Sequence, residues 1–311
     1  MTASGGLSRR WALTAMMGSW VWVRAAKAAD PGAPIRVAVS ENLVADVSLN
    51  DARAAMQTWI KRIESDLHVA IAIDAKVFST TEEIGRRVRN GEVDAAALNV
   101  AEYRPIADYF DRNEILVGDG AAGPDEYLLL VKRDGAYKRL SDLRGRRVCI
   151  SKAPMMCAVP AWLSTLLDEE RLGPADGFFG SIAADTKISR VVLPVFFDQA
   201  DACIASRRGF ATMAELNPQV ARNLAPIANS ATLVTCFYAF CKNYRGPGRD
   251  TFINLNKGLL SSAAGRQLAT LFQFAELTVR DSSCLASSLS ILDKADRLRK
   301  GAAPAGRRGP L

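Results

Sequence analysis

The sequence predicts an α/β protein of two similar lobes facing a cleft, with mostly parallel sheets and helices on both faces. Three observations carry this. β-type apolar runs alternate with segments of helical periodicity, the pattern of a parallel α/β sheet. A short unit recurs in both halves: a helix and polar turn lead to Val93-Asp94-Ala95-Ala96-Ala97, and a second helix ending at Asp198-Gln199 leads to Ala200-Asp201-Ala202-Cys203-Ile204. The length, 311 residues, suits two lobes of about 100–150 residues, each able to bury a core.

In chain order, Ile35–Val39 reads as the first strand. Apolar residues at Leu49, Ala52, Met56, Trp59, Ile60, Ile63 and Leu67 keep helical spacing, and Val69–Ile73 reads as a second strand. Ser79-Thr80-Thr81-Glu82 is a capping box opening a helix that stops at Asn90-Gly91. Val93–Leu98 is a third strand and Ala101–Phe110 a helix. Glu126–Lys132 is apolar enough to be a strand crossing between lobes. Ser141–Gly145 is a helical turn with a glycine stop, Arg147–Ser151 a strand and Met156–Leu167 a helix. Ile188, Val191, Val192 and Val195 predict a helix over 187–197 despite Pro194, and Asp201–Ala205 is the next strand. The remainder offers a strand at Thr232–Phe240 and helices at 249–262, 264–274 and 282–299. The expected organisation is a signal segment (1–28), a first lobe from 29–130 plus 232–296, a second lobe from 131–231, and a disordered basic tail (297–311).

The formal charge of +7 comes from the ends. The first 28 residues carry four basic residues and no acid, and the last 15 carry five and no acid, so 29–296 is near −2. A nucleic-acid binder would hold its positive charge on the folded face, so that class is set aside. Arg9-Arg10, the apolar run Trp11–Val23 and Ala26-Lys27-Ala28 read as a secretory signal with an A-x-A cleavage site. Ser8-Arg9-Arg10 also loosely resembles a twin-arginine signal. The expected location is therefore periplasmic. All six cysteines lie beyond the signal, where disulfides can persist. There is no C-x-x-C and the single histidine is His68, so no metal site and no cofactor are expected. Nucleophilic catalysis needs a positioned base, and no nucleophile–base motif is present, so the chain is not read as an enzyme.

In order and spacing, Ser40-Glu-Asn-Leu, Val93-Asp-Ala-Ala-Ala-Leu-Asn99, Glu102-Tyr103, Leu140-Ser-Asp-Leu-Arg-Gly145, Phe197-Asp-Gln-Ala-Asp-Ala202 and Phe210–Gln219 carry a resemblance across residues 35 to about 290. The chain resembles the periplasmic phosphate/phosphonate-binding proteins of ABC importers, a type II solute-binding, venus-flytrap fold. The resemblance implies closure over a small anion and delivery to a membrane permease, by a monomer. It assigns Ser40 and Glu41 to the first-lobe loop, Asn99, Glu102 and Tyr103 to the polar wall beside it, and Asp201 to an acid in the second lobe. Tyr127 either lines the cleft or packs at the hinge.

At the second-lobe helix N-terminus the family would place hydroxyls to support anion binding. Here the residues are Ser151-Lys152-Ala153-Pro154-Met155-Met156-Cys157. Ser151 supplies a hydroxyl and Lys152 a charge. Met155, Met156 and Cys157 are soft donors, which opens an alternative: a sensory protein for arsenite or Cu(I), signalling to a membrane kinase. The competing reading packs the same side chains onto their own sheet. Cys149 and Cys203 fall on strands expected to be neighbours, and either pair or are buried as small apolar groups.

Overall fold

The computed structural model describes residues 34–44, 73–119, 125–246, 248–271 and 276–302, with residues 50, 53, 54, 56–58, 60, 61 and 65 between the first two segments. Two sheets form. The first takes β1 (Ile35–Ser40), β2 (Ile73–Phe78), β3 (Ala95–Asn99), β4 (Phe110–Asp119), β10 (Cys236–Cys241) and β11 (Glu276–Arg280), in the order β11–β4–β10–β3–β1–β2. The second takes β5 (Tyr127–Lys132), β6 (Arg147–Ser151), β7 (Ser181–Asp185), β8 (Ala202–Ser206) and β9 (Leu224–Asn229), in the order β7–β6–β8–β5–β9.

The two-lobed α/β architecture is thus as the sequence predicts, but the sheets are mixed where mostly parallel sheets are expected. Parallel pairing is confined to β1, β2 and β3 in one lobe and to β6, β7 and β8 in the other. The strands that complete each sheet pair antiparallel. β5 does not itself cross between lobes. It lies within the second sheet, so that lobe begins before residue 131.

Alternation along the strands sets the two faces of each sheet. In the first lobe Ala38, Ala96 and Leu98 pack against Ile84 and Val88 of α1 (Thr81–Arg89). Val37, Val39, Ala95 and Ala97 face the other way, onto Met56, Ile60 and Phe252 and Ile253 of α7 (Gly248–Lys257). In the second lobe Leu129, Val148 and Ile204 meet Val159, Trp162 and Leu163 of α3 (Val159–Glu169). Leu128, Leu130, Cys149 and Cys203 meet Val191, Val192 and Val195 of α4 (Ile188–Phe196). β3 and β8 are buried along their whole length, as central strands covered on both faces must be.

Boundaries shift where local chemistry decides. The capping frame of α1 falls one residue later than expected: Thr80 is the cap, and its hydroxyl accepts from the Glu83 amide. The helix expected from Ala101 is only α2 (Val100–Tyr103), continued as a 3₁₀ turn over Arg104–Tyr109 that contains Pro105. The second strand is Ile73–Phe78; the expected start at Val69 lies outside the described residues, as do the signal segment and part of the helix predicted over 49–67. α5 (Arg207–Leu216), α6 (Pro218–Asn223) and α8 (Ala263–Leu271) complete the helices before the last. That helix, α9 (Ala286–Ala302), runs past Arg297, where a disordered tail is expected to begin.

The two chain crossings between lobes run side by side. The Tyr127 amide donates to Ser230 Oγ, the Ser230 amide to the Tyr127 carbonyl, and the Leu233 amide to the Asp125 carbonyl. Helix α9 spans the lobes: Lys294 pairs with Glu169 in the second lobe, while Asp293 and Asp296 pair with Arg104 in the first.

Candidate functional site

The two lobes are built on one repeated local plan. In the first, the Arg36 amide and guanidinium donate to the Asp94 carboxylate at 2.6–2.9 Å, clamping β1 to the start of β3. In the second, the Arg147 amide and guanidinium donate to Asp201 at 2.9–3.4 Å, clamping β6 to the start of β8. Both aspartates sit where their strands begin. At the opposite, C-terminal ends stand four buried polar residues at matching spacings: Ser40 on β1, Asn99 on β3, Ser151 on β6 and Ser206 on β8. The 3₁₀ turn Glu41–Leu43 after β1 touches the turn Pro154–Met156 after β6, so the ends of β1 and β6 approach one another between the lobes. Ligands of open α/β sheets bind at such strand C-termini.

The first-lobe wall is organised by Glu102. Its carboxylate is buried and accepts from Ser40 Oγ at 2.6 Å, Asn42 Nδ2 at 2.8 Å, the Asn99 amide at 3.1 Å and Thr81 Oγ1 at 3.4 Å. Asn99 Oδ1 in turn accepts from the Ala101 and Glu102 amides, closing a capping box at the start of α2. Ser40 Oγ gives its one proton to Glu102 and accepts from the Asn42 amide. Glu41 is half-exposed, with no side-chain hydrogen bond among the described residues.

The second-lobe wall is simpler. Ser151 Oγ accepts from the Ala153 amide, and Ser206 Oγ accepts from the Gly209 amide to cap α5. Lys152 is exposed beside Ser151. Cys157 packs against both lobes' cores, near the Ala101 and Val100 amides. Burial pushes its thiol up to about 12 against the opposing pull of those amides, so it stays protonated at neutral pH.

Four expected site residues stand elsewhere. Asp201 is at the far end of the sheet from the cleft, held by Arg147 and by Tyr137 at 3.3 Å. Tyr103 is in the first-lobe core, its ring against Phe110 and Phe237, where burial pushes its hydroxyl up. Met156 is buried in the second-lobe core, and Met155 packs partly buried against the same core. Among the described residues no cluster of three or more His, Cys, Asp or Glu is arranged to hold a metal. Tyr127 packs at the hinge: its hydroxyl donates to the Met155 carbonyl at 2.7 Å and accepts from the Ala158 amide at 3.3 Å. Asn42, Thr81 and Ser206 are members that the sequence reading passed over. The repeat itself could have found Ser206, because it follows Asp201 at the spacing by which Asn99 follows Asp94.

The clamp at Asp201 gives a prediction. Burial pushes its carboxyl up, but the Arg147 hydrogen bonds and charge and the Tyr137 hydroxyl outweigh that, and its pKa lies below the ordinary range. A depressed acid contributes stability that is present above its unfolded pKa, about 3.9, and is lost as pH falls through its lower folded value. Asp201→Ala should therefore lower stability at pH 7 by about 1–2 kcal/mol, since Arg147 is half-exposed. The deficit should shrink in acid, as measured by denaturant melts from pH 7 to pH 2. Ligand affinity should not change.

The family model for the periplasmic substrate-binding protein of phosphonate ABC transporters matches residues 43–278. A binding protein component of an ABC phosphonate transporter from Pseudomonas aeruginosa superposes with a TM-score of 0.57 at 15% identity, covering 88% of this chain and 91% of its own. A Prochlorococcus marinus protein in complex with methylphosphonate superposes with a TM-score of 0.55 at 12% identity, covering 87% and 100%. A Xanthomonas citri protein bound to chloride ion gives 0.56 at 14%, covering 86% and 99%. At these identities the superpositions establish the fold. No curated protein sequence matches the chain.

Proposed function

The chain belongs to the periplasmic substrate-binding proteins of phosphonate ABC transporters, and from that membership we propose that it captures a small oxyanion of the phosphonate class between its lobes and presents it to the importer's permease. One observation carries the reading for this chain. Equivalent strand ends of both sheets bear buried polar residues, Ser40 and Asn99 in one lobe and Ser151 and Ser206 in the other, and the turns that follow β1 and β6 touch. Lys152, beside Ser151, supplies the positive charge that the near-neutral body lacks. With the Ser40 proton committed to Glu102, donors to the ligand come from Lys152, from main-chain amides and from the Asn42 amide hydrogen that Glu102 leaves unused. The chain acts as a monomer by binding and release, with no bond made or broken.

Calorimetry of the purified mature chain with methylphosphonate, phosphite, phosphate, sulfate, arsenite and Cu(I) tests this. The expected result is 1:1 binding of a phosphorus oxyanion, weakened about 10-fold by Lys152→Gln, the loss of one charge-assisted hydrogen bond. The melting temperature of the unliganded protein should be unchanged, because Lys152 is exposed. Binding of arsenite or Cu(I) alone, or of no oxyanion at all, would sink the reading.

A further inference from the structure

Ligand capture gives no part to the two sulfurs that the second sheet places side by side. Cys149 on β6 and Cys203 on β8 are register partners on neighbouring parallel strands. Both side chains enter the same core face, against α4. Both are free thiols in this structure. Neighbouring strands lie about 4.8 Å apart, inside the window of about 4.4–6.8 Å between Cα atoms that a disulfide spans.

We propose that Cys149 and Cys203 form a reducible disulfide that staples β6 to β8 beneath the second-lobe wall of the cleft. The inference rests on the periplasmic setting of the family, where such bonds persist. Its consequence is local. β6 ends at Ser151 and β8 at Ser206, so a bond just upstream on both strands fixes the spacing of the two wall hydroxyls.

The chemistry is thiol–disulfide exchange with a disulfide oxidant. Cys149 is 8% exposed and Cys203 fully buried, so Cys149 reacts first. Its thiolate attacks the oxidant, forming a mixed disulfide and releasing one thiol. Cys203 then attacks Cys149 sulfur, closing the protein bond and releasing the second thiol. Two protein thiols lose two hydrogens, and one oxidant disulfide becomes two thiols.

The test uses the purified mature chain incubated with oxidised glutathione, digested without reductant and mapped by mass spectrometry. The expected product is a peptide pair joined through Cys149 and Cys203, cleaved again by mild reductant. In Cys203→Ala the expected product is a glutathione adduct on Cys149, because the resolving thiol is gone. A chain that stays fully reduced at equilibrium, or one that joins other cysteines and leaves Cys149 and Cys203 free, overturns the proposal. No ligand enters the readout, so failure here leaves the ligand-capture reading standing, and a failed titration of oxyanions leaves this one standing.

Discussion

Replacing Glu102 by alanine should abolish ligand binding and lower stability by about 3 kcal/mol, with Tm falling by roughly 6–10 °C. The reason is where its two oxygens point. One oxygen collects Ser40 Oγ, Asn42 Nδ2 and Thr81 Oγ1, from two separate stretches of chain, and the other takes the buried Asn99 amide. Alanine leaves these donors without their acceptor, at a cost of about 1–3 kcal/mol for each one that cannot turn to water. Asn42 is exposed and recovers; the Asn99 amide is part of a capped strand end and does not. Glu102→Gln separates charge from connectivity. If its carbonyl takes the position that holds Ser40 and Asn42, its amide faces the Asn99 amide, donor against donor. An intermediate loss of about 1–2 kcal/mol is expected, and a weaker loss of affinity than for alanine. Calorimetric titration with methylphosphonate alongside thermal melts checks both. Full affinity in Glu102→Ala would show that the first-lobe wall does not need this carboxylate.

The parts legible in the sequence are those whose signal is periodic or repeated. The paired strands β3 and β8 announce themselves as short apolar runs behind an aspartate, and the structure explains the aspartate: it clamps an arginine on the neighbouring strand, Arg36 or Arg147. The same repeat misleads when read as chemistry. Asp201 lies at the start of its strand, and a strand's start and end are about five residues apart, on opposite edges of the sheet. β4 was not visible because Asp111-Arg112-Asn113-Glu114 gives its first half no apolar alternation; Asp111 and Glu114 serve Arg249 instead. β7 was not visible because it is an exposed edge strand with no buried face to pattern. The hub around Glu102 draws on three separate stretches of the first lobe, and only tertiary folding brings Thr81 and Asn42 to it.

The hinge supplies the second large effect. Tyr127→Ala should lower stability by about 3–5 kcal/mol and weaken ligand binding, although its side chain is buried. Its ring is buried edge-on to Trp162 with centroids 5.9 Å apart, and its removal leaves a cavity between β5 and α3. Its hydroxyl holds both sides of the turn that carries Met155 and Cys157, donating to the Met155 carbonyl and accepting from the Ala158 amide. That turn follows Ser151 and Lys152 and meets the first lobe across the cleft. Tyr127 is thus a positioning residue: it ties the crossing chain to the second-lobe wall. Tyr127→Phe keeps the ring and removes only the ties, so it should cost about 1–2 kcal/mol, from one carbonyl and one amide left without partners. The two variants separate packing from positioning. If the ring alone matters, Tyr127→Phe binds methylphosphonate as tightly as the parent; if the hydroxyl positions the turn, affinity falls severalfold while most of the stability remains.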